Sequence, residues 1–242
     1  MAKAVRLDKF LADAGKGTRS EVKKFIQKGQ VQVNGVPAKK PEMKVDPEKD
    51  TVVLSGETVG AAPEFVYYLL NKPAGCVSAT EDRNDRTVME YVPSDRKGLF
   101  PVGRLDKEST GLLLLTNNGQ LMDDVLRGSN YHEKEYIVHV NKPITDSVLQ
   151  AMAQGVPILD TITRPCKIRR MGKDCFYITL TQGLNRQIRR MCEYFDYRVT
   201  SLKRIRIMNI ELGSLPVGKW RELTPSEIKT LKNLAQNKGE AE

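Results

Sequence analysis

Residues 103–111 read Gly-Arg-Leu-Asp-Lys-Glu-Ser-Thr-Gly, and four consecutive leucines at 112–115 follow them directly. Four apolar residues are too few to cross a membrane and too continuous for a half-exposed strand, so they predict a buried strand. The charged loop before this strand places Asp106 at the edge of a core. Because Arg104 and Lys107 flank it, we expect the carboxylate to stay ionised, which makes it a candidate nucleophile. The alternative is a turn residue in a surface ion pair.

The length and composition of the chain limit its class. With 242 residues it can form one large domain or two modest ones. No apolar run approaches the roughly 20 residues that a bilayer requires, and residues 1–8 lack the apolar core of a signal peptide, so we expect a soluble, cytoplasmic protein. Four widely spaced cysteines predict reduced thiols, and two histidines argue against a structural zinc site.

The charge of the chain predicts a polyanionic partner. The formal net charge is +9 and the isoelectric point is about 9.3. Residues 1–40 hold ten Lys or Arg against three acids, and residues 186–206 form a second basic concentration. Charge clustered at two places favours nucleic-acid binding over general solubility, although a solvated basic face is the alternative.

Residues 5–57 predict a compact unit of two helices and a short sheet. Apolar residues recur at helical spacing from Leu7 to Ala14, and Thr18 to Glu21 form a capping box that begins a second helix. An alternating strand at 31–33 leads into an Asn-Gly turn. The second helix carries basic side chains away from its apolar stripe, namely Arg19, Lys23, Lys24 and Lys28.

Two later segments carry further candidate functional residues. The alternating strand at 134–140 places Tyr136 on one face. Residues 185–195 predict a helix with an apolar stripe toward the core. Its basic side chains lie roughly opposite that stripe: Arg186, Arg189 and Arg190. Several guanidinium groups near the start of a helix suit phosphate binding or bidentate pairing with a carboxylate.

Several segments together resemble a known family, and the likeness covers nearly the whole chain. Residues 103–117 resemble the signature loop of the RNA pseudouridine synthases of the RsuA/RluB/RluF group. Lys134-Glu135-Tyr136 resembles their second motif, and residues 182–193 resemble their third, with wording closest to the RluF type. Residues 6–11, 19–21 and 29–35 resemble the S4 RNA-binding domain.

The resemblance implies roles for individual side chains. Asp106 would be the catalytic carboxylate, Tyr136 would stack on the target uracil and take part in proton handling, and Arg189 would pair with Asp106. Leu202 would lie beneath the base, and Arg104 would move toward the space left by the extruded nucleotide. Substrate contacts are expected from Arg104, Leu202, Lys134, Asn185, Arg186 and Arg190. RNA contacts of the S4-like domain are expected from Arg6, Lys9, Arg19, Lys23, Lys24 and Lys28.

The expected fold class is α+β. An S4-like domain at 1–60 and a linker at 61–65 precede a catalytic domain at 66–242, which has a mixed, mostly antiparallel central sheet flanked by helices. The resemblance implies a monomeric enzyme that isomerises uridine to pseudouridine in structured RNA, above all 23S ribosomal RNA. It implies an aspartate nucleophile, base flipping and neither metal nor cofactor.

Three alternatives to this reading stay open. The same chemistry could act on tRNA or small-subunit ribosomal RNA. An RNA N-glycosidase would break the same bond but release free uracil. A non-catalytic S4-containing RNA-binding or ribosome-assembly protein would explain the charge equally well. Whether Asp106 attacks the sugar or assists removal of a sugar proton is also left open by the sequence.

Overall fold

A computed structural model describes residues 4–47, 49–60, 65–93, 98–126 and 131–236. The chain divides into two compact units, and the described residues of the first belong to the ranges 1–66, 95–99 and 117–119. The second unit holds the rest. The predicted linker at 61–65 falls almost entirely outside the described residues.

The first unit contains the predicted helix pair and two small antiparallel sheets, β1-β4 and β3-β2-β5-β6. Its elements are β1 (Val5–Arg6), α1 (Leu7–Asp13), α2 (Arg19–Gln27), β2 (Val31–Val33), β3 (Val36–Pro37), β4 (Lys44–Val45), β5 (Val52–Leu54) and β6 (Glu57–Thr58). Thr18 and Glu21 form the predicted capping box at the start of α2. Asn34 and Gly35 both have positive φ, which matches the predicted two-residue turn between β2 and β3.

From Tyr67 onward the chain builds one large mixed sheet with helices. Its elements are β7 (Tyr67–Lys72), a 3-10 helix (Val88–Tyr91), β8 (Phe100–Val102), β9 (Thr110–Thr116), α3 (Gly119–Leu126), β10 (Lys134–Val140), α4 (Asp146–Gln154), β11 (Pro157–Ile158), β12 (Thr161–Ile162), β13 (Lys167–Arg170), β14 (Cys175–Leu180), α5 (Gln187–Tyr194), β15 (Val199–Ile207), β16 (Ile210–Glu211), β17 (Trp220–Glu222) and α6 (Pro225–Gln236). Within the described residues, no helix has the length and apolar character needed to cross a bilayer.

The order of strands in the large sheet is β13-β14-β10-β15-β9-β7-β17, with β16 paired to β15 and β8 paired to β9. Among the described pairs only β9 and β15 run parallel, so the sheet is mixed and mostly antiparallel as predicted. The four leucines at 112–115 are buried in β9, which confirms the strand predicted there.

A glycine permits the close approach of β9 to β15. Gly111 has a φ of +100°, and a Cβ at this position would overlap the backbone of Arg204. Any other residue would therefore separate the two parallel strands or strain the backbone. Because Gly111 directly follows the charged loop, this contact fixes where the loop meets the sheet.

Candidate active site

A cavity of about 690 Å³ lies within the second unit, beside the predicted catalytic loop. Its wall includes residues of the loop at 103–109, of the turn at 180–187 and of strands β10 and β15. Of the residues predicted as catalytic or substrate-binding, the cavity is lined by Asp106, Tyr136, Arg104, Leu202, Lys134, Asn185 and Arg186. The fold thus gathers side chains separated by nearly 100 positions into one cavity.

Two arginines face the Asp106 carboxylate. Its Oδ2 atom lies 3.5 Å from Nε of Arg189 and 3.7 Å from Nη1 of Arg186. The sequence correctly paired Arg189 with Asp106, but it wrongly assigned the flanking cations to this carboxylate. Lys107 instead pairs with Asp85 at 2.5 Å, and Arg104 is exposed at the cavity wall. Adjacent side chains in an extended loop point in different directions, so neighbours in sequence need not meet.

Arg189 contacts two residues of the loop and one of β15, and its side chain is only 11% exposed. Nη2 donates to Oγ of Ser109 at 3.3 Å, and Nη1 donates to the carbonyl oxygen of Val199 at 3.4 Å. Nε, at ion-pair distance from Asp106, has no hydrogen-bond partner among the described residues. A planar guanidinium can contact these three partners at the same time, because its donors point in fixed, different directions. A lysine ammonium on its flexible side chain cannot do so.

Lys72, to which the sequence analysis assigned no role, is the main internal support of the loop. It is fully buried at the end of β7, and Nζ donates to the carbonyl oxygens of Pro73, Asp106 and Ser109 at 2.9, 3.2 and 2.9 Å. A longer bond of 3.3 Å reaches the carbonyl oxygen of Lys107. Burial is the largest influence on this group and lowers the pKa of Lys72. The sequence signal that could have identified this role is a lysine at the end of a largely apolar strand.

The opposite side of the loop is fixed by Ser78. Its hydroxyl donates to the carbonyl oxygen of Leu105 at 3.0 Å and accepts from the backbone N–H of Leu105 at 3.1 Å. Both backbone polar atoms of Leu105, the residue before Asp106, are therefore held by one hydroxyl. Together with Lys72, this bond pair leaves the Asp106 side chain as the adjustable part of the loop.

The face of the sheet that borders the cavity is built by pairing of β10 with β15. Tyr136 lies opposite Arg204, and Val138 lies opposite Leu202, so these side chains share one face. Tyr136 is half-buried and Leu202 is buried, and both line the cavity. A register shift between Glu135 and Tyr136 interrupts the ladder at this point. Irregular pairing of this kind often re-aims a side chain beside an active site.

Two cations of the cavity wall, Arg204 and Lys134, are largely withdrawn from solvent. Arg204 is 3% exposed, and its Nε donates to the carbonyl oxygen of Leu112 at 2.7 Å. Burial, and then the charge of Arg204, lower the pKa of Lys134 to about 8. Lys134 Nζ donates to the carbonyl oxygen of His132 at 3.1 Å. Burial likewise lowers the pKa of His132, so the imidazole is neutral at neutral pH.

The start of α5 differs from its prediction. The helix begins at Gln187, and Arg186 before it has a left-handed φ of +50°. A turn closed by bonds between Leu184 and Gln187 produces this geometry and directs Arg186 toward Asp106. Arg190 does not line the cavity; its guanidinium donates to the backbone and side-chain oxygens of Asn185 at 3.1 and 3.4 Å.

The predicted RNA-binding residues of the first unit differ in exposure. The guanidinium of Arg6 donates two hydrogen bonds of 3.0 and 2.9 Å to the buried carboxylate of Asp8. Its donors are therefore engaged within the unit. Lys9 is half-buried beside it on α1. The four cations of the second helix are exposed: Arg19, Lys23, Lys24 and Lys28.

The cysteines are free, as the sequence predicted. Burial raises the pKa of Cys166 to about 11 and that of Cys192 to about 12. A thiol with a raised pKa is a poor nucleophile at neutral pH. Within the part of the chain that the structure describes, no group of three or more His, Cys, Asp or Glu side chains could hold a metal ion.

Comparison with protein families matches both units. Residues 5–52 match the S4 domain, and residues 66–194 match the RNA pseudouridylate synthase family. The second match contains the loop of Asp106, the strand of Tyr136 and the helix of Arg189. It therefore covers the elements that form the cavity wall on three sides.

Whole-chain relatives agree with this assignment. The chain is 46% identical over 235 residues to the dual-specificity RNA pseudouridine synthase RluF of Salmonella typhi, covering 96% of this chain and 80% of the relative. It is 37% identical to an RNA pseudouridine synthase of Bacillus subtilis, covering 94% and 98%. A crystal structure of a pseudouridylate synthase has a TM-score of 0.70 at 32% identity, covering 94% and 99%. The chain therefore belongs to the RluF-like RNA pseudouridine synthases of the RsuA group, enzymes with an S4 domain that isomerise uridine to pseudouridine in RNA.

Proposed function

We propose that Asp106 is the catalytic carboxylate of this isomerase. The observation that carries the proposal is its position: the carboxylate borders the cavity, with Arg189 and Arg186 within 4 Å and Tyr136 on the same cavity wall. Breaking the bond between uracil and ribose develops positive charge on the sugar, which an ionised carboxylate stabilises or captures. Arg189, whose Nε lies 3.5 Å from Oδ2, orients the carboxylate.

The target base must leave its helix to reach this carboxylate. Extrusion of a nucleotide costs a few kcal/mol, and stacking on an aromatic ring returns about 1–3 kcal/mol. We propose that the uracil stacks on Tyr136 with Leu202 beneath it, because both side chains share one face of the sheet and line the cavity. We also assign proton handling at the base to Tyr136.

The remaining cavity residues bind and orient the substrate. Lys134, Asn185 and Arg186 present donors to the uracil and to the phosphates next to it. Exposed Arg104 enters the space that the extruded nucleotide leaves. Arg190 acts through Asn185, whose two oxygens it holds. No metal or cofactor is needed, because the reaction is redox-neutral and adds no external group.

The RNA is structured ribosomal RNA, and we propose the 23S molecule. The net charge of +9 and the exposed cations of α2 support a polyanionic substrate. The RluF relative carries the words dual-specificity in its name, which supports a second RNA class such as tRNA. We assign RNA positioning to residues 1–60, catalysis to residues 66–242 and the linker to residues 61–65. We further propose that the enzyme is a monomer and that it acts in the cytoplasm.

The catalytic assignment is tested with 23S transcript that carries tritium at C5 of uracil. Isomerisation releases tritium to water while uracil stays attached to the RNA, whereas an N-glycosidase would release free uracil. Asp106→Asn should slow tritium release at least about 1,000-fold and leave RNA affinity within about threefold.

Glu108→Gln is the matched control. Glu108 lies two residues away and also faces Arg186, at 3.6 Å, but it is not part of the cavity wall. This variant should retain activity within about threefold. Full activity of Asp106→Asn would contradict the role of Asp106. Mapping pseudouridines in RNA from cells that lack the protein then identifies the modified uridine.

A further inference from the structure

Tyr131 and Arg164 form a stacked pair at the rim of the active-site cavity, which the proposed mechanism does not use. The guanidinium of Arg164 lies 4.0 Å from the centroid of the Tyr131 ring. Tyr131 remains 38% exposed. An aromatic ring backed by a guanidinium and open to solvent is the kind of surface on which an unpaired base stacks.

The pair is joined to the cavity on two sides. Tyr131 directly precedes His132, which lines the cavity. The backbone N–H of Arg164 donates to the side-chain oxygen of Gln182 at 3.1 Å, and its Nη1 donates to the carbonyl oxygen of Thr181 at 3.5 Å. Thr181 and Gln182 also line the cavity. The ring therefore lies beside the cavity, within reach of a nucleotide next to the one inside it.

The backbone at Tyr131 is strained. Its φ is +52°, a left-handed value that bulky side chains rarely adopt. Strain of this kind persists where the surroundings impose it and is concentrated at binding and catalytic sites. Here the strained conformation places the ring against Arg164.

We propose that Tyr131, backed by Arg164, is a stacking site for the base adjacent to the target uridine. This inference rests on the proposed base flipping, because extrusion of the uridine leaves its neighbour without a stacking partner. A base that moves onto Tyr131 recovers stacking on a sequence-tolerant surface. Occupation of this site holds the backbone open while the uridine occupies the cavity.

The test uses an RNA hairpin whose loop carries one uridine, with 2-aminopurine on its 5′ side in one probe and on its 3′ side in another. Stacking on the tyrosine ring should quench the fluorescence of one probe on binding to the wild-type enzyme. Tyr131→Asn should reduce that quenching at least about threefold and weaken binding about fivefold. Tyr131→Phe should retain both.

The choice of asparagine separates stacking from a structural role. Asparagine adopts positive φ more readily than tyrosine, so the melting temperature of Tyr131→Asn should not fall. Tyr194→Ala is the control, since Tyr194 is 55% exposed in the same unit and lines no part of the cavity. It should leave quenching unchanged.

Unchanged quenching in Tyr131→Asn, an equal loss in Tyr194→Ala, or no quenching of either probe by the wild-type enzyme would overturn the inference. Failure of the catalytic proposal would appear separately, as absence of tritium release from the 23S transcript. A wild-type enzyme that releases tritium but quenches neither probe thus isolates the stacking site as the part that is wrong.

Discussion

The cations that hold the loop of Asp106 and the cations of α2 carry the same charge but are built into the protein differently. Lys72 is fully buried and bonded to four carbonyl oxygens, and Arg189 is 11% exposed and contacts Asp106, Ser109 and Val199. By contrast, Lys23, Lys24 and Lys28 are exposed on a helix surface. Cations of the first kind fix geometry, whereas those of the second kind supply screened, long-range attraction.

This difference separates the effects expected of mutation. A buried and bonded cation acts with its neighbours, so its removal leaves several polar atoms without partners and displaces a reacting group. An exposed cation acts nearly independently of the next one, so its removal lowers affinity by a small increment. We expect the two groups to differ in which kinetic constant changes, in salt dependence and in pH dependence.

The largest effect should follow Lys72→Met. The methionine removes the ammonium that joins the carbonyl oxygens of Pro73, Asp106 and Ser109, so the loop loses its internal support. A displacement of about 1 Å at a reacting group can cost about 100-fold in rate, and we expect a kcat reduction of that size in the tritium-release assay. RNA affinity should stay within about threefold.

Lys173→Met is the control for that variant, because Lys173 is an exposed lysine of the same unit and lies outside the cavity wall. Its kcat should match the wild type. An unchanged kcat in Lys72→Met would contradict the positioning role of Lys72. A loss of RNA affinity as large as the loss of kcat would also contradict it, because a positioning cation should affect kcat alone.

Arg189→Lys should lower kcat about 30-fold, because one ammonium cannot replace the contacts to Asp106, Ser109 and Val199. The neighbouring change Arg190→Lys should lower it by less than about threefold, since the guanidinium of Arg190 donates to Asn185 and does not line the cavity. Single-turnover rates of the two variants measure the contrast. Equal losses in the two variants would contradict a special role for the contacts of Arg189, and an unchanged rate in both would show that charge on α5, and not geometry, is what matters.

Buried and exposed cations should also differ in how they change the pH dependence of stability, and Lys134 tests this. Burial lowers the pKa of this lysine to about 8, below its usual value of 10.5, so its charged form destabilises the fold at neutral pH. Lys134→Met should therefore raise the free energy of unfolding by about 1–2 kcal/mol at pH 7. Between pH 8 and 10.5 the unfolded wild type binds more protons than the folded one, so its stability rises and the advantage of the variant disappears.

Denaturant unfolding at several pH values measures this effect. Lys23→Met, on exposed α2, should change stability by less than about 0.5 kcal/mol at any of them. A gain for Lys134→Met that persists unchanged above pH 10.5 would mean that better apolar packing, and not relief of a buried charge, explains the stabilisation.

The smallest effect should follow Lys23→Ala in α2. Loss of one exposed cation should weaken RNA binding about two- to threefold at 0.1 M salt, whatever the sequence, and reduce the slope of log affinity against log salt by about 0.7–0.9. Lys49→Ala removes a lysine that is 80% exposed in the same unit but lies 3.9 Å from Asp46. This control should leave the slope closer to that of the wild type.

The local elements of both units were predictable because their signals are short-range. The capping box at Thr18, the Asn34-Gly35 turn and the buried strand at 112–115 each depend on residues within a few positions of one another. The capping box at Thr224 and Glu227 at the start of α6 was predictable for the same reason. The pairing of Asp106 with Arg189 was found only through family resemblance, since 83 positions separate them.

The partners of the charged side chains around Asp106 were not predictable. Lys107 was expected beside Asp106 and pairs with Asp85, while Arg186, which the sequence left with the helix, approaches Asp106 from a left-handed turn. Lys72 gave no sign of its four carbonyl contacts. In each case the partner is brought by strand order or loop path, which local patterns do not encode.

The sequence by itself determined the helix pair of the first unit, the helix at 185–195, the strands at 31–33, 112–115 and 134–140, the basic surface of α2 and, through resemblance, the family and the carboxylate that we propose as catalytic. Only the tertiary structure decided which cations hold that carboxylate, that Lys72 supports its loop and that Tyr131 stacks on Arg164 beside the cavity. Secondary structure depends on neighbours along the chain, whereas a buried polar group is satisfied by whichever donors and acceptors the completed fold brings within about 3 Å.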